Sequence, residues 1–218
     1  MTETIHVQQN VDTNAAIKPG MFGGNFLFDR DRLGQGTYEE AVSWLGLKSL
    51  RYPGGSITEE YFDITNPNVA KTNDKIDGSA VDLYPLGSFL GDAARLNVAP
   101  LIVIPTKRFL DLGTLGSREV SSEAAELVRV FARDILSGVY GQCSIAGFEI
   151  GNEYWGSGQM TASEYGRIVD ALAPVIQEEI DVARLNNPIA HVGPEPKIVV
   201  QVGQYGAFSK APGLRRRG

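Results

Sequence analysis

An Asn-Glu pair, Asn152 and Glu153, stands directly behind the apolar and small residues of IAGFEIG, residues 145–151. A carboxylate at the end of a buried strand costs free energy unless the chain delivers it to a solvated cleft where it can act. Two aromatic residues, Tyr154 and Trp155, follow at once. The pair is therefore the first candidate for a functional site, and the other elements must supply the cleft.

Other chemistries find fewer residues to work with. Two histidines, His6 and His191, and one cysteine, Cys143, provide no zinc-like ligand set and no internal disulfide. The segments GGSIT and WGSGQ miss the nucleophile elbow of serine hydrolases. We therefore expect no metal site and no other cofactor.

One segment comes close to a calcium-binding loop. DRDRLGQGTYEE places Asp29, Asp31 and Glu40 in the register of an EF-hand loop. Leu33 occupies the fifth position, where an oxygen ligand is required, and Thr37 with Glu40 is better explained as a capping box. The segment predicts the start of a helix and no calcium site.

Short apolar segments alternate with helical patterns along the chain. The apolar segments are bounded by Gly, Pro and Asn, as in the strands of a parallel sheet. Predicted helices follow Thr37, Tyr84, Ser121 and Thr161, and the third has a predicted stop at Gly138. The five predicted strands span residues 21–28, 47–55, 99–106, 145–153 and 197–204. This alternation predicts an α/β fold with right-handed crossovers.

Two α/β architectures fit this order, an open doubly wound sheet and a (β/α)8 barrel of which about five βα units are present. The first predicted strand and the segment behind it lack the glycine fingerprint of a nucleotide-binding doubly wound sheet. The unusual polar residues follow the strands, as functional residues of barrels do: Asn25, Arg51, Thr106, and Asn152 with Glu153. These observations favour an incomplete fold of the (β/α)8 TIM-barrel type. An open sheet would instead place its first strand in the interior.

Alternation along each strand predicts which side chains face the barrel interior. Phe148 and Ile150 would pack on the helices, whereas Glu149 and Glu153 would point toward the barrel axis. In the second strand the same rule turns Arg51 inward. We therefore expect Arg51 and Glu153 to face one cleft.

The motifs FEIGNE and LRYPGGS together resemble the retaining glycoside hydrolases of clan A, especially the arabinofuranosidase, β-xylosidase and heparanase-like branches. The resemblance runs in order from FGGNFL to IVVQVG, over most of the chain. It implies that Glu153 is the general acid/base and that Asn152 binds the sugar hydroxyl next to the reacting carbon. It also implies that Arg51 helps to hold the nucleophile. The expected partner is an oligosaccharide or polysaccharide.

Three further residues are candidates for substrate binding. Tyr154 and Trp155 offer flat faces on which sugar carbons can rest, and Asn25 lies within the first predicted strand, near its end. Structural alternatives stay open: Trp155 as part of the core and Asn25 as a turn residue.

The two charged candidates also have structural alternatives. Arg51 could neutralise Glu149 inside the barrel, because buried charges are normally paired. Glu153 could cap the helix that begins near Thr161. These roles stay open beside the catalytic ones.

Retaining hydrolysis needs a second carboxylate about 5–5.5 Å from the acid, which attacks the anomeric carbon. In the family this nucleophile is a Glu at the end of the seventh strand, and no residue of this chain matches it. We expect a chain truncated before the nucleophile and inactive alone, so its status as an enzyme stays open. Two other functions also stay open, a non-catalytic carbohydrate-binding remnant and an unrelated open-sheet α/β protein.

Composition limits the partners and the compartment. The 218 residues carry a net charge of −6 with no basic face, so nucleic acid is not an expected partner. MTETIHVQQN lacks the features of a signal peptide, and no segment has the apolar length of a membrane span. We expect a soluble protein, cytoplasmic or secreted by a signal in a missing carboxyl end.

The domain prediction has three parts. Residues 1–20 form an amino-terminal extension, residues 21–206 form the partial barrel, and residues 207–218 form a disordered or non-native tail. A barrel with five strands leaves the first and fifth strands as edges and exposes apolar side chains there. We therefore expect self-association through these edges.

Overall fold

The computed structural model describes residues 22–34, 37–186 and 194–203. Its strands are β1 (Gly23–Asn25), β2 (Ser49–Tyr52), β3 (Lys71–Asn73), β4 (Ala80–Asp82), β5 (Ala99–Ile104), β6 (Gly147–Ile150) and β7 (Lys197–Val199). Its helices are α1 (Thr37–Trp44), α2 (Ile57–Tyr61), α3 (Leu86–Arg95), α4 (Ala124–Leu136) and α5 (Ala162–Asn186), with a 3₁₀ turn at Lys107–Phe109. The predicted extension at 1–20, the predicted tail at 207–218, His6 and His191 lie outside the described residues.

Five parallel strands form the main sheet in the order β1-β2-β5-β6-β7, which is also their order along the chain. A sheet that grows in one direction with the chain is singly wound, as in a (β/α)8 barrel, and β1 therefore lies at an edge. The open-sheet alternative, which required the first strand in the interior, is wrong. The prediction of an α/β fold of the TIM-barrel type with about five βα units is confirmed for the residues that the structure describes.

The core lies between the helices and one face of this sheet. In β2 the buried residue Tyr52 stacks its ring on Phe89 of α3, with 4.4 Å between the ring centroids. In β6 the fully buried residues Phe148 and Ile150 belong to the same apolar cluster. The predicted alternation of these two strands is therefore confirmed on the helix side.

Helix α5 packs against β6 and β7, and α4 packs against α5. Val128, Phe131 and Ile135 recur at helical spacing on α4, and all three are buried, as expected for an amphipathic helix. The helix ends at Leu136, and Gly138 behind it has a φ of 78°, a left-handed conformation that ends helices. No helix in the described part of the chain is long and apolar enough to cross a membrane.

The segment 66–82 contains a small antiparallel hairpin of β3 and β4. The carboxylate of Asp74 accepts hydrogen bonds from the backbone N–H groups of Ile76 and Asp77, at 2.7 and 3.3 Å, and these bonds shape the hairpin turn. The strands have three residues each and are mostly exposed, so they carry no apolar alternation that the sequence could reveal. The short helix α2 was also not predicted.

Candidate functional site

The candidate site is organised by Arg51, at the carboxyl end of β2. Its guanidinium reaches across β5 and forms a two-point ion pair with Glu149 of β6, with Nε–Oε2 at 2.6 Å and Nη2–Oε1 at 3.0 Å. The Nη2 atom also donates to Asn152 Oδ1 at 2.9 Å, and Nη1 donates to Asn25 Oδ1 at 3.3 Å. Arg51 therefore connects residues from three strand ends on the face of the sheet that is opposite to the helices.

The ion pair has the geometry that makes buried charges tolerable. Bidentate pairing lets the guanidinium satisfy both oxygens of the carboxylate. The side chain of Glu149 is 9% exposed and that of Arg51 is 21% exposed, so solvent screens the pair only weakly. Arg51 therefore neutralises Glu149, as the structural alternative proposed. The same guanidinium also donates a hydrogen bond to Asn152 of the predicted site.

Asn152 is held from several sides. Its side chain is buried, and while Oδ1 accepts from Arg51, Nδ2 donates to Ser157 Oγ at 2.9 Å. The Ser157 hydroxyl donates in turn to the backbone oxygen of Asn152 at 2.7 Å. These bonds set the orientation of the amide before any ligand binds.

Glu153 lies at the rim, where the chain turns sharply. Its side chain is exposed, and its backbone has a φ of 44°, an uncommon left-handed conformation for a residue with a side chain. Its carbonyl oxygen accepts from the N–H groups of Gly156 and Gly158, at 2.7 and 3.2 Å. This turn keeps Asn152 buried and places the next carboxylate in solvent. Strand β6 ends at Ile150, so the alternation that was expected to turn Glu153 toward the barrel axis does not extend to it.

The alternative in which Glu153 caps helix α5 is wrong. Thr161 and Glu164 form the capping box themselves: Glu164 N donates to Thr161 Oγ1 at 3.2 Å, and Thr161 N donates to Glu164 Oε2 at 2.8 Å. The start of the helix is therefore satisfied without Glu153.

The two aromatic residues behind Glu153 have different environments. Tyr154 is 4% exposed and stacks on Tyr165 of α5, with 4.6 Å between ring centroids and 11° between ring planes. The prediction of Tyr154 as a sugar platform is corrected, because the neighbouring ring and the core cover its faces. Trp155 is half-buried and packs edge-on against Tyr154 at 5.0 Å, so its ring stays partly open to a ligand.

Asn25 occupies the end of β1, where its side chain closes the network around Arg51. A Cβ atom at Gly54, which has a φ of 73°, would lie 2.6 Å from Asn25 Oδ1 and 2.5 Å from the backbone oxygen of Phe26. Only glycine fits there, which explains one of the two glycines in RYPGG. Asn25 thus lies at the end of β1 and also contacts Arg51 of the candidate site.

Two site residues were missed by the sequence analysis. Gln201, just after β7, donates from Nε2 to Glu149 Oε1 at 3.0 Å and to the Gly151 carbonyl at 3.1 Å, while its Oε1 accepts from Tyr154 N at 3.3 Å. The rule that functional residues follow strands could have found it. Glu59, on the unpredicted helix α2, accepts hydrogen bonds from the loops behind β5 and β6.

Tyr165 of α5 forms hydrogen bonds with the backbone at the ends of β6 and β7. Burial raises the pKa of its phenol to about 12, so the hydroxyl stays protonated near neutral pH. That hydroxyl donates to the Ile150 carbonyl at 2.7 Å and accepts from Gln201 N at 2.9 Å. The ring thus ties α5 to the ends of β6 and β7.

The near-calcium segment has other partners for its acidic residues. Asp31 Oδ2 accepts from Leu27 N at 2.7 Å, and Asp29 pairs with Arg30 at 2.8 Å. Within residues 22–34, 37–186 and 194–203, no three His, Cys, Asp or Glu side chains group together as metal ligands would.

No protein-family model matches this chain, and no curated protein does. Solved structures resemble it over part of their length. AbfB, a family 51 α-L-arabinofuranosidase from Bifidobacterium longum, is 16% identical over 84% of this chain and 38% of its own, with a TM-score of 0.49. The GH51 arabinofuranosidase from Xanthomonas axonopodis pv. citri is 14% identical over 85% and 40%, also at 0.49. An α-L-arabinofuranosidase from Thermotoga maritima in complex with arabinose is 19% identical over 74% and 32%, at 0.45.

This chain spans 40% or less of the length of these three structures. The similarity concerns the fold.

Proposed function

We propose that this chain carries the acid/base half of a retaining glycoside hydrolase site. The observation that carries the proposal is the Arg51 network, which orients Asn152 beside the exposed carboxylate of Glu153 at the carboxyl edge of a singly wound sheet. Glycosidic bond cleavage needs a proton donor beside the leaving oxygen, and a hydrogen bond to the neighbouring sugar hydroxyl adds stabilisation in the transition state.

Each residue has a specific role in this proposal. Glu153 protonates the oxygen that leaves the anomeric carbon, and Asn152 donates a hydrogen bond to the hydroxyl next to that carbon. The Asn152 bond would strengthen as positive charge develops on the sugar ring. Trp155 provides the partly open aromatic face against which the ring rests.

The attacking carboxylate is not supplied by Glu149 or Glu59, the two buried carboxylates nearest to Asn152 among the described residues. Glu149 Oε1 accepts from both Arg51 and Gln201 while its Oε2 accepts from Arg51, and Glu59 is fully occupied as well. Neither carboxylate is free to attack an anomeric carbon. We therefore place the nucleophile outside the described residues, and we propose that the isolated chain binds carbohydrate without turning it over.

Small anions provide the test. With an aryl arabinofuranoside, xyloside or glucuronide that has a poor leaving group, we expect the wild-type chain to give only background hydrolysis. Added azide should attack the anomeric carbon in place of the nucleophile, yielding the glycosyl azide and the alcohol protonated by Glu153. In Glu153→Gln the azide-dependent rate should fall on the order of 10²–10⁴-fold, whereas Glu60→Gln, which changes an exposed carboxylate of α2, should leave it unchanged.

The second candidate is a carbohydrate-binding function without any catalytic capacity. It is favoured because hydrogen bonds within the chain occupy the carboxylates of Glu149 and Glu59. It predicts oligosaccharide binding by calorimetry, loss of that binding in Asn152→Ala, and no glycosyl azide. Saturable hydrolysis without azide that disappears in Glu153→Gln would contradict both candidates, because the chain would then supply its own nucleophile. Absence of binding to pentose and uronic-acid oligosaccharides would also reject both.

A further inference from the structure

Glu59 is a buried carboxylate outside the Arg51 network. It lies on α2, is 6% exposed, and accepts four hydrogen bonds. Its Oε1 accepts from Thr106 Oγ1 and from Asn152 N, both at 3.0 Å. Its Oε2 accepts from Thr106 N and Lys107 N, both at 2.8 Å. One side chain thus joins α2 to the loops behind β5 and β6.

The donors to Glu59 are neutral. In the part of the chain that the structure describes, no Lys, Arg or His pairs with it, in contrast to Glu149 and Glu164, which each face an arginine. A buried carboxylate without a cation depends on its hydrogen bonds, because water cannot replace them. The three backbone N–H groups and the Thr106 hydroxyl must therefore all point at the Glu59 carboxylate.

We propose that Glu59 is a positioning residue that locks the Asn152–Glu153 turn to the loop behind β5. This inference rests on the proposed function, which gives the Asn152–Glu153 turn its catalytic role. The hydrogen bond that holds the turn to Glu59 is a property of the fold. The bond to Asn152 N holds the residue immediately before Glu153, so displacement of the Glu59 carboxylate would move both the amide and the acid. Thr106 and Lys107 fix that carboxylate from the opposite side.

Hydrogen exchange of the full chain tests the lock directly. In Glu59→Gln an amide N–H₂ replaces one carboxylate oxygen and faces N–H donors, so the backbone amides of Thr106, Lys107 and Asn152 should exchange roughly tenfold faster or more. Glu59→Asp keeps the charge and should give a smaller increase. Should Glu59→Gln fail to fold, Glu59→Asp and Thr106→Val carry the same test, because each disturbs the bonds to Oε1.

Glu164→Gln is the matched control. Glu164 is likewise fully buried and accepts several bonds, but its donors are Gly116, Arg118 and Thr161. The control should speed exchange at those amides and leave Asn152 protected. Equal protection of Asn152 in wild type and in the Glu59 variants would overturn the proposal.

A second measurement separates positioning from general stability. At a temperature where both variants are folded, Glu59→Gln should lower the azide-dependent kcat about tenfold with little change in KM, whereas Glu164→Gln should change neither. Equal losses in the two variants would reduce Glu59 to a structural role. If the wild-type chain binds no carbohydrate, the proposed function fails, but the exchange of Asn152 still decides whether Glu59 locks the turn.

Discussion

Arg51 and Glu149 face each other across β5, with Arg51 Nε 2.6 Å from Glu149 Oε2. Both side chains lie on the sheet face opposite the helices, and Val103 of β5, which is fully buried, lies between their strands on that face. The pair neutralises charge inside the fold and aligns Asn152 at the same time.

Removal of one member of this pair should be more harmful than removal of both. Glu149→Leu or Arg51→Met alone should lower the free energy of unfolding by about 3 kcal/mol, because each leaves a buried charge without its partner. The double variant Arg51→Met with Glu149→Leu should lose less than either single variant. Urea denaturation measures all three, and additive losses would contradict the coupling.

Two buried threonines should respond in opposite directions to the same substitution. Thr58 and Thr106 are both fully buried, but Thr58 Oγ1 has no partner among the described residues, whereas Thr106 Oγ1 donates to Glu59. Thr58→Val should leave the free energy of unfolding unchanged or raise it by about 1 kcal/mol, because it removes an unsatisfied hydroxyl. Thr106→Val should lower it by about 1.5–3 kcal/mol, the range for bonds to a charged group. Urea denaturation of both variants would show the contrast, and a loss in Thr58→Val would disprove it.

Glu164 should make the fold sensitive to acid. The hydrogen bond from Arg118, aided by the N–H groups of Thr161, Gly116 and Arg118, holds the pKa of this carboxyl well below its ordinary value of 4.5. A lowered pKa in the folded state means that the unfolded chain binds the proton more readily, so the stabilisation is present above pH 4.5 and declines as the pH falls below it. Thermal unfolding across this range should show a shallower acid decline in Glu164→Gln than in wild type. Parallel pH curves would contradict this role.

The two edges of the main sheet should promote self-association. Apolar side chains are exposed near β1 and near β7, where the backbone also lacks a neighbouring strand among the described residues. They are Phe22 directly before β1, Trp44 and Leu45 at the carboxyl end of α1, and Val199, Val200 and Val202 at or behind the end of β7. Sedimentation velocity over a concentration series should show larger species for the wild type.

Charges at the end of α1 and at β7 provide the comparison for this prediction. Trp44→Glu with Val202→Lys should shift the sedimentation profile toward monomer, because charge disfavours contacts between exposed apolar surfaces. Leu112→Glu, at a fully exposed position in the loop behind β5, is the control and should leave the profile unchanged. A compact wild-type monomer at all concentrations would contradict the prediction.

Local periodicity is why the sequence reveals so much of this fold. Alternation in β2 and β6 decides which side chains face the helices, and that property depends only on neighbouring residues of one strand. The inward direction of Arg51 and Glu149 followed from it, whereas Glu153 lies in a turn behind β6, where alternation no longer decides the direction of a side chain. The singly wound order followed from polar residues behind each strand, which the topology then confirmed.

Tertiary structure alone decided which groups satisfy the buried carboxylates and which aromatic ring stays open. Glu59 meets Thr106 and Asn152, residues 47 and 93 positions away, through a helix too short to show a helical pattern. Tyr154 and Trp155 are neighbours in the sequence, yet the ring of Tyr154 is the one that is covered, because Tyr165 of α5 stacks on it. Such contacts depend on how separate βα units pack side by side. The residue pattern of one segment contains no information about the side chains that a distant segment packs against it.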